Sequence, residues 1–530
     1  MSQELDRRTL LAAAGATLFG PGLDQDLAQR PMAVTGGQIT GAATTVPGVV
    51  AWLGIPYAAP PTGKLRWRPP QPVEPWAGVR RAGRFAASPW AMSDAIGGLG
   101  GRRLEMDEDC LTLNVWVPAA KSNKPRPVMV WIYGGAFVEG ATDDPLYDGA
   151  NMAAAGVVFV SINYRVGILG FFAHPELAQE SPEGVSGNYG LLDQIAALRW
   201  VRDNIAQFGG DPDNVTILGQ SAGSFSVAFH LVMPQSRGLF HRAIAESGAA
   251  MGRLNSLVLL TDGREMEAQG RAFAVRVGAP DLAALRAKDP MSLMKADHET
   301  WIFHPALDGV VIPDHPFRMI RDGRHADVPL IAGFNADEGA AFQPLGGGTP
   351  QGLTAALEAN FGAHAAAAQR IYPAANDAEA ANRGRQVFGD LIFTWNTATL
   401  ATAMARYGRQ PVYFYHFAYT GVPSPGHPDL KGVAFHGAEI GLVLKNPGGR
   451  GNPVAPDLQR MSELLSGYWL AFAGRGNPNG SNRPPWPVFK PGAATVLHID
   501  GVANSAGPMP FRERLSLVGR TWGNPILDDA

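Results

Sequence analysis

The sequence has one cysteine, almost no excess of positive or negative charge, and no long apolar runs. Its single cysteine, Cys110, excludes an intramolecular disulfide, so the fold does not rely on cross-links. A net charge of −3 without any basic block argues against a nucleic-acid partner. No apolar run is long enough for a transmembrane helix, and no spacing of ligands typical of zinc or calcium occurs. We therefore expect no metal, no cofactor and no stable membrane insertion.

The overall composition is that of a globular protein with a large core. Of the 530 residues, 46% are hydrophobic and 17% are charged, and the 64 glycines and 43 prolines indicate many loops. No internal repeat occurs, and no Ser/Gly/Pro linker after residue 35 is long enough to separate domains. The sequence therefore predicts one folded domain over residues 31–530, and a monomer is the expected state.

The N-terminal segment has a different character. Arg7 and Arg8 directly precede "TLLAAAGATLFG", an apolar run of about a dozen residues. Such a run is too short to span a bilayer and long enough for a signal-peptide core, so residues 1–30 resemble a twin-arginine export signal. The alternative is a buried N-terminal helix. The export interpretation predicts a protein that folds in the cytoplasm and acts in the periplasm or outside the cell.

Along the rest of the chain, short apolar runs alternate with longer amphipathic stretches. Six of these runs are typical of buried strands, at 127–133, 156–164, 214–219, 242–247, 328–335 and 411–417. Residues 191–209 carry apolar side chains at helical spacing and end at two glycines. Strands alternating with helices predict an α/β fold, with a large, mainly parallel central sheet flanked by helices and long inserted loops.

A serine stands at one of the predicted strand-to-helix junctions. In "GQSAG", Ser221 follows the strand and precedes the helix. A serine on so tight a turn has strained backbone angles, so the residues two positions before and after it must be small, and Gly219 and Gly223 meet this requirement. The N–H of Ala222, at the start of the helix, can then donate to an oxyanion. The alternative is a glycine-flanked serine in an ordinary loop.

A nucleophilic serine needs a base, an acid that orients the base, and donors for the negative charge that develops. "WIYGGAF" offers such donors, because Gly134, Gly135 and Ala136 follow a buried strand and let backbone N–H groups approach a carbonyl group. A plain glycine turn is the alternative interpretation.

The expected chain order for acid and base is serine, acid, histidine. "GFNADEG" offers two candidate acids, Asp337 and Glu338, and the residues themselves do not separate them. "AFHGAEI" then offers His436 as the base. Other histidines compete with it, namely His230, His241, His304, His315 and His427.

Seven segments, in order, resemble the type-B carboxylesterases, the family that includes bacterial para-nitrobenzyl esterases and the cholinesterases. They are "WLGIPYAAPPTGKLRW" (52–67), "EDCLTLNV" (108–115), "NYRVGILGF" (163–171), "GNYGLLDQIAALRWVRDNIAQFGGDPDNVTILGQSAG" (187–223), "NADEG" (335–339), "HGAEI" (436–440) and "GNPN" followed by "WP" (476–487). The resemblance covers nearly everything after residue 35. It implies the α/β-hydrolase fold.

The same resemblance implies a serine carboxylesterase that cleaves small-molecule esters through an acyl-enzyme, without metal or cofactor. It implies a triad of Ser221 as nucleophile, Glu338 as acid and His436 as base. It also implies three backbone oxyanion donors, the N–H groups of Gly135, Ala136 and Ala222. Ser247, in "AESGA", matches a family serine near the triad, and we expect it to support Glu338.

Departures from the family bear on the substrate. Gln220 stands where the family more often carries glutamate, so one negative charge beside the serine is missing. Arg102 and Arg103 stand near the place where cholinesterases stack a quaternary ammonium on tryptophan. Both features disfavour choline esters and favour neutral or anionic esters of short to medium length. A similarity to fumonisin-type esterases, which remove tricarballylate esters, indicates the same substrate charge.

Three alternatives stay open within this family. A fumonisin-type or xenobiotic ester hydrolase would share every motif above. A lipase would need a mobile apolar lid, and the segment 86–103 is not conspicuously apolar. A catalytically silent binding module would have lost its nucleophile, whereas this chain keeps all three triad residues.

Overall fold

The computed structural model describes residues 26–92, 105–254, 260–299, 303–424, 427–448, 454–501 and 503–528. Over these residues an 11-stranded sheet forms the centre of the molecule. Its strands, in chain order, are β1 (Ala42–Ala43), β2 (Val49–Pro56), β3 (Thr112–Pro118), β4 (Arg126–Ile132), β5 (Val158–Ile162), β6 (Gly210–Gln220), β7 (Arg242–Glu246), β8 (Leu330–Asn335), β9 (Val412–Phe417), β10 (Thr495–Ile499) and β11 (Ser505–Pro508).

The strand order across the sheet is β11-β10-β9-β8-β7-β6-β4-β5-β3-β2-β1. Every pairing from β10 to β5 is parallel, and β11, β3, β2 and β1 pair antiparallel at the two edges. The predicted mainly parallel sheet is therefore confirmed, and each of the six predicted strands is present. Their central residues are buried, as expected when helices cover both faces of a parallel sheet.

Helices connect and flank the strands. The α-helices described are α1 (Ala150–Ala154), α2 (Gly167–Phe171), α3 (Pro175–Glu180), α4 (Tyr189–Asn204), α5 (Ala222–Val232), α6 (Gly263–Arg276), α7 (Leu282–Arg286), α8 (Pro290–His298), α9 (Pro316–Arg321), α10 (Pro350–Phe361), α11 (Ala365–Ile371), α12 (Asp377–Gly389), α13 (Trp395–Tyr407), α14 (Ile440–Val443), α15 (Pro456–Arg475) and α16 (Arg512–Thr521). A π-helical turn, Asp390–Thr394, joins α12 to α13. Helix α5 packs on β6 and β7, and α13 packs on β8.

Smaller elements complete the fold. Met32–Val34, Gly37–Thr40 and Val79–Arg81 form a three-stranded sheet, and Thr261–Asp262 pairs with Ala306–Leu307. Short 3₁₀ turns occur at Gly63–Leu65, Pro145–Tyr147, Ile205–Phe208, Pro234–Ser236, Leu345–Gly348, Gly362–His364 and Pro428–Leu430. Within the described ranges, no helix is both long enough and apolar enough to cross a membrane.

A buried ion pair fixes the helix that precedes the central strand β6. Arg165 follows β5, and its Nε and Nη2 atoms donate to the Asp193 carboxylate of α4 at 2.7 Å each. The Arg165 backbone N–H also donates to Asp193, at 3.1 Å. Because both side chains are buried, loss of one partner would leave an uncompensated charge in the core. The pair holds the loop after β5 against α4.

Candidate active site

Ser221 occupies the sharp turn between β6 and α5. Its backbone angles are φ 58° and ψ −126°, a strained conformation for a residue with a side chain. A Cβ atom added to Gly223 would lie 2.1 Å from the Ile132 carbonyl oxygen, and one added to Gly219 would lie 2.6 Å from the Gly223 carbonyl carbon. Both flanking glycines are therefore required, and the predicted strand–serine–helix arrangement is confirmed.

The loop after β4 passes directly beside this serine. A Cβ atom added to Gly134 would lie 2.7 Å from the Gln220 carbonyl oxygen and 3.0 Å from the Ser221 Cβ, so glycine is required for this approach. Gly135 and Ala136 have φ values of 111° and 52°. Within the described part of the chain, their N–H groups donate to no acceptor. Ala222 is the first residue of α5, and its N–H is one of those that a helix leaves without an internal partner.

Glu338 and His436 form a buried, charge-assisted pair. Glu338 follows β8, and its Oε2 atom lies 2.5 Å from His436 Nδ1. The other carboxylate oxygen, Oε1, accepts the Asn335 N–H at 2.7 Å, which fixes the orientation of the carboxylate. Because Nδ1 faces a carboxylate, it carries the proton, and Nε2 is left as the basic nitrogen. The structure thus brings together the acid and base that the resemblance implied.

Asp337, the other candidate acid, points elsewhere. Its Oδ2 atom accepts the Ala434 N–H at 3.0 Å, and its own N–H donates to the Ala434 carbonyl oxygen at 3.1 Å. Asp337 therefore ties the loop that carries His436 to the loop that carries Glu338. The geometry separates two carboxylates that the sequence left equivalent.

Gln220 lies between the serine turn and the histidine. Its Nε2 atom is 3.2 Å from His436 Nε2 and 3.4 Å from Nδ1, so the amide nitrogen lies close to both ring nitrogens. Over the described residues, the Ser221 hydroxyl makes no hydrogen bond to His436. In unliganded enzymes the nucleophile–base contact is often long and tightens only when substrate binds.

A cluster of buried polar side chains next to Glu338, which includes Asn335 and Glu439, was not predicted from the sequence. Asn335 Nδ2 donates to Glu439 Oε2 at 2.5 Å, and Trp469 Nε1 donates to Glu246 Oε1 at 2.7 Å. Burial, with the nearby Glu338 carboxylate, raises the pKa of Glu439, and burial beside Glu439 raises that of Glu246. The position of Glu439 inside "HGAEI", three residues after the histidine, was the available signal.

Ser247 lies at the end of β7, where its N–H donates to the Gly333 carbonyl oxygen of β8 at 2.8 Å. Its hydroxyl is buried and has no hydrogen-bond partner in the described residues. The structure shows no direct hydrogen bond from Ser247 to Glu338, and the supporting role of Ser247 stays a prediction.

Four of the five competing histidines have side-chain hydrogen-bond partners outside the proposed triad. His230 contacts Ser236 and Gln194, and burial lowers its pKa to about 3. His304 lies 2.6 Å from the Thr261 hydroxyl, His315 lies 2.7 Å from the Gly252 carbonyl oxygen, and His241 accepts the Val215 N–H. None of these contacts resembles the pairing of His436 with a carboxylate.

Two further expectations concern less central residues. Cys110, the single cysteine, is buried, and burial raises the pKa of its thiol. Arg102, Arg103 and most of the segment 86–103 lie outside the described residues. In the part of the chain described, no group of three or more histidine, cysteine or acidic side chains could hold a metal ion.

Comparison with known proteins agrees with this geometry. The model of the carboxylesterase family matches residues 28–516. The fumonisin B1 esterase of Sphingopyxis macrogoltabida is 40% identical over 466 residues, covering 83% of this chain and 82% of that protein. The para-nitrobenzyl esterase of Bacillus subtilis (strain 168) is 35% identical over 471 residues, covering 86% and 92%. A solved PNB esterase structure superimposes with a TM-score of 0.79 at 32% identity, covering 92% of this chain and 99% of that one.

Proposed function

The chain belongs to the carboxylesterase family and is a carboxylic ester hydrolase, and on that premise we propose that Ser221, Glu338 and His436 are its catalytic triad. The observation that carries this proposal is the 2.5 Å contact between Glu338 Oε2 and His436 Nδ1, beside a serine held on a strained turn. A buried carboxylate at Nδ1 keeps Nε2 unprotonated and stabilises the imidazolium that forms when the serine loses its proton.

The proposed reaction has two acyl-transfer steps. Ser221 Oγ attacks the ester carbonyl carbon while His436 Nε2 takes the hydroxyl proton, and the alkoxide leaving group takes that proton as the C–O bond breaks. Water then attacks the carbonyl carbon of the acyl-enzyme while His436 Nε2 takes its proton, and that proton passes to Ser221 Oγ as the bond between Oγ and the acyl carbon breaks and the acid leaves. The N–H groups of Gly135, Ala136 and Ala222 would bind the oxyanion in each step.

The substrate we propose is a neutral or anionic ester of short to medium length. Gln220 supports this choice, because a neutral amide faces the His436 imidazole where the family more often places a carboxylate. A cationic substrate therefore lacks one attractive charge close to the reacting atoms. The 40% identity to fumonisin B1 esterase supports the anionic alternative.

An ester panel that varies only charge or chain length tests this preference. We expect 3,3-dimethylbutyl acetate, the neutral isostere of acetylcholine, to have a kcat/KM at least about tenfold above that of acetylcholine. Para-nitrophenyl butyrate should exceed para-nitrophenyl palmitate, and para-nitrophenyl hemisuccinate should be accepted. The Gln220→Glu variant is the matched control, because it should narrow the gap between acetylcholine and its isostere. A preference for acetylcholine or palmitate in the parent protein would contradict the proposal.

We propose further that residues 31–530 form one catalytic domain, because strands from Ala42 to Pro508 enter one sheet. We propose that residues 1–30, of which 1–25 lie outside the described part, contain a twin-arginine signal that takes the protein to the periplasm or beyond. Ala28 is buried and its carbonyl oxygen accepts the Gly41 N–H at 2.7 Å, so the end of this segment packs on the domain and the signal itself lies before it. Arg7→Lys with Arg8→Lys should retain the protein in the cytoplasm of a producing bacterium. Unchanged export of that double variant would exclude this route.

A further inference from the structure

An irregular turn lies in a long helical segment close to the triad. Helices α12 and α13 would form one continuous helix, but the π-helical turn Asp390–Thr394 inserts one residue between them. An inserted residue rotates everything after it by about 100° around the helix axis. Such turns interrupt the regular hydrogen-bond pattern of an α-helix and are frequent at functional sites.

Polar side chains compensate for the interrupted hydrogen-bond pattern. Asn396 Nδ2 donates to the carbonyl oxygens of Leu391 and Ile392, at 2.9 and 3.0 Å. Thr397 Oγ1 donates to the Phe393 carbonyl oxygen at 2.8 Å. Asn396 Oδ1 also accepts the Met251 N–H at 3.0 Å, which ties the turn to the loop that follows β7 and Ser247. The turn is therefore a well-supported feature of this fold.

The turn touches both the acid and the base of the proposed triad. At its start, a Cβ atom added to Gly389 would lie 2.8 Å from the Gly339 nitrogen and 3.1 Å from the Glu338 Cβ, so the helix approaches the acid-bearing loop closely. Within the turn, the buried Phe393 stacks on the His436 imidazole, with ring centroids 4.0 Å apart and an interplanar angle of 27°.

We propose that this π-helical turn is a positioning element for the triad, with Phe393 as the residue that holds the plane of the His436 ring during each proton transfer. This inference rests on the proposed function. The Glu338 hydrogen bond fixes the direction of Nδ1, but one contact at Nδ1 does not by itself fix the tilt of the imidazole plane, and the Gln220 amide contacts the ring only through its nitrogen atoms. A parallel aromatic face removes the tilt, and its negative quadrupole attracts the imidazolium formed during each proton transfer.

Phe393 differs in this respect from the other aromatic residues nearby. Phe342 lies 5.5 Å from the His436 ring at 57°, too inclined to restrain the plane. Phe388 packs on Phe342 at 4.8 Å and on Phe393 at 6.2 Å, and so contributes to the same cluster from behind. Phe388 therefore provides a matched control for the loss of one phenylalanine ring from this cluster.

The test compares Phe393→Leu with Phe388→Leu in the mature enzyme, which contains the whole catalytic domain. For Phe393→Leu we expect kcat to fall about tenfold, with KM changed less than about twofold, because the ring acts on the proton-transfer step rather than on substrate binding. The pH at which kcat/KM is half-maximal on the acid side should fall. Phe393→Tyr keeps an aromatic ring, so its kcat and its pH of half-maximal kcat/KM should stay close to those of the parent. Phe388→Leu should retain kcat within about threefold.

An isosteric replacement keeps the test decisive if the leucine variant folds poorly. Phe393→pentafluorophenylalanine preserves the shape of the ring but reverses its quadrupole. We therefore expect kcat, and the pH of half-maximal kcat/KM on the acid side, to fall as in Phe393→Leu. Unchanged kcat and pH profile in this variant, or equal losses in Phe393→Leu and Phe388→Leu, would overturn the inference. Those outcomes leave ester hydrolysis by the parent enzyme intact, whereas an inactive parent enzyme would instead contradict the proposed function.

Discussion

Ser221→Ala is expected to lower kcat/KM for para-nitrophenyl butyrate by about 10⁴-fold or more, because no other group can form the acyl-enzyme. In the proposed mechanism the Ser221 hydroxyl oxygen attacks the ester carbonyl carbon, and the proposed oxyanion donors and His436 would retain only a small residual rate without it. The strained turn at φ 58° persists or relaxes slightly in the variant, so the fold should be kept. Initial rates of the purified protein, with circular dichroism as a check on folding, measure this effect.

Ser226→Ala is the matched control for that variant. Ser226 lies one turn further along α5, is fully buried, and donates its hydroxyl to the Ala222 carbonyl oxygen at 2.9 Å. Its loss leaves the Gln194 amide without one partner, which should cost about 1–3 kcal/mol in the free energy of unfolding. We expect kcat/KM to stay within about threefold of the parent. Similar activities for Ser221→Ala and Ser226→Ala would remove the basis for a serine nucleophile at 221.

Glu338→Gln is expected to have the second largest effect, a loss of about 10³ to 10⁴-fold in kcat. The Asn335 N–H holds one oxygen of this side chain, so the carbonyl oxygen of the substituted amide should stay there and its NH₂ group should face His436 Nδ1. Two donors cannot share that contact, so the imidazole would move its proton to Nε2. The nitrogen that must accept the serine proton is then blocked.

Asp337→Asn separates this effect from any general damage to the loop. An asparagine oxygen can still accept the Ala434 N–H, so the link between the two loops should survive. We expect kcat within about threefold of the parent and only a small change in the midpoint of thermal unfolding. If Asp337→Asn lost more activity than Glu338→Gln, the assignment of the triad acid would be wrong.

The parallel centre of the fold was predictable because buried strands carry an unmistakable pattern. Strands such as β4 and β8 are apolar along nearly their whole length, since both sides face helices. The antiparallel edge strands were harder to predict. β1 has only two residues, and β11, "SAGP", is largely exposed. Such segments form strands because a neighbouring edge is available, which a local pattern does not show.

The site was predictable to the extent that its chemistry depends on short motifs. Gly219 and Gly223, on either side of Ser221, indicate a tight turn. The close approach of the Ile132 carbonyl oxygen explains why both must be glycine. The residues by themselves did not separate Asp337 from Glu338. The family resemblance implied Glu338, and the structure gives the physical reason, because the two adjacent carboxylates point in different directions. The stacking of Phe393 on His436 was hidden in the sequence, since Phe393 lies 43 positions before the histidine and in a π-helical turn that a local pattern does not show.

The most direct test of the central claim is to identify the residue that a mechanism-based phosphorylating agent modifies. Diisopropyl fluorophosphate reacts with a serine only when a neighbouring base activates its hydroxyl. Peptide mapping by mass spectrometry after complete inactivation should find one diisopropylphosphoryl group per chain, attached to Ser221, and none in the Glu338→Gln variant after the same exposure. Inactivation with the label on another residue, or full activity with Ser221 labelled, would contradict the account.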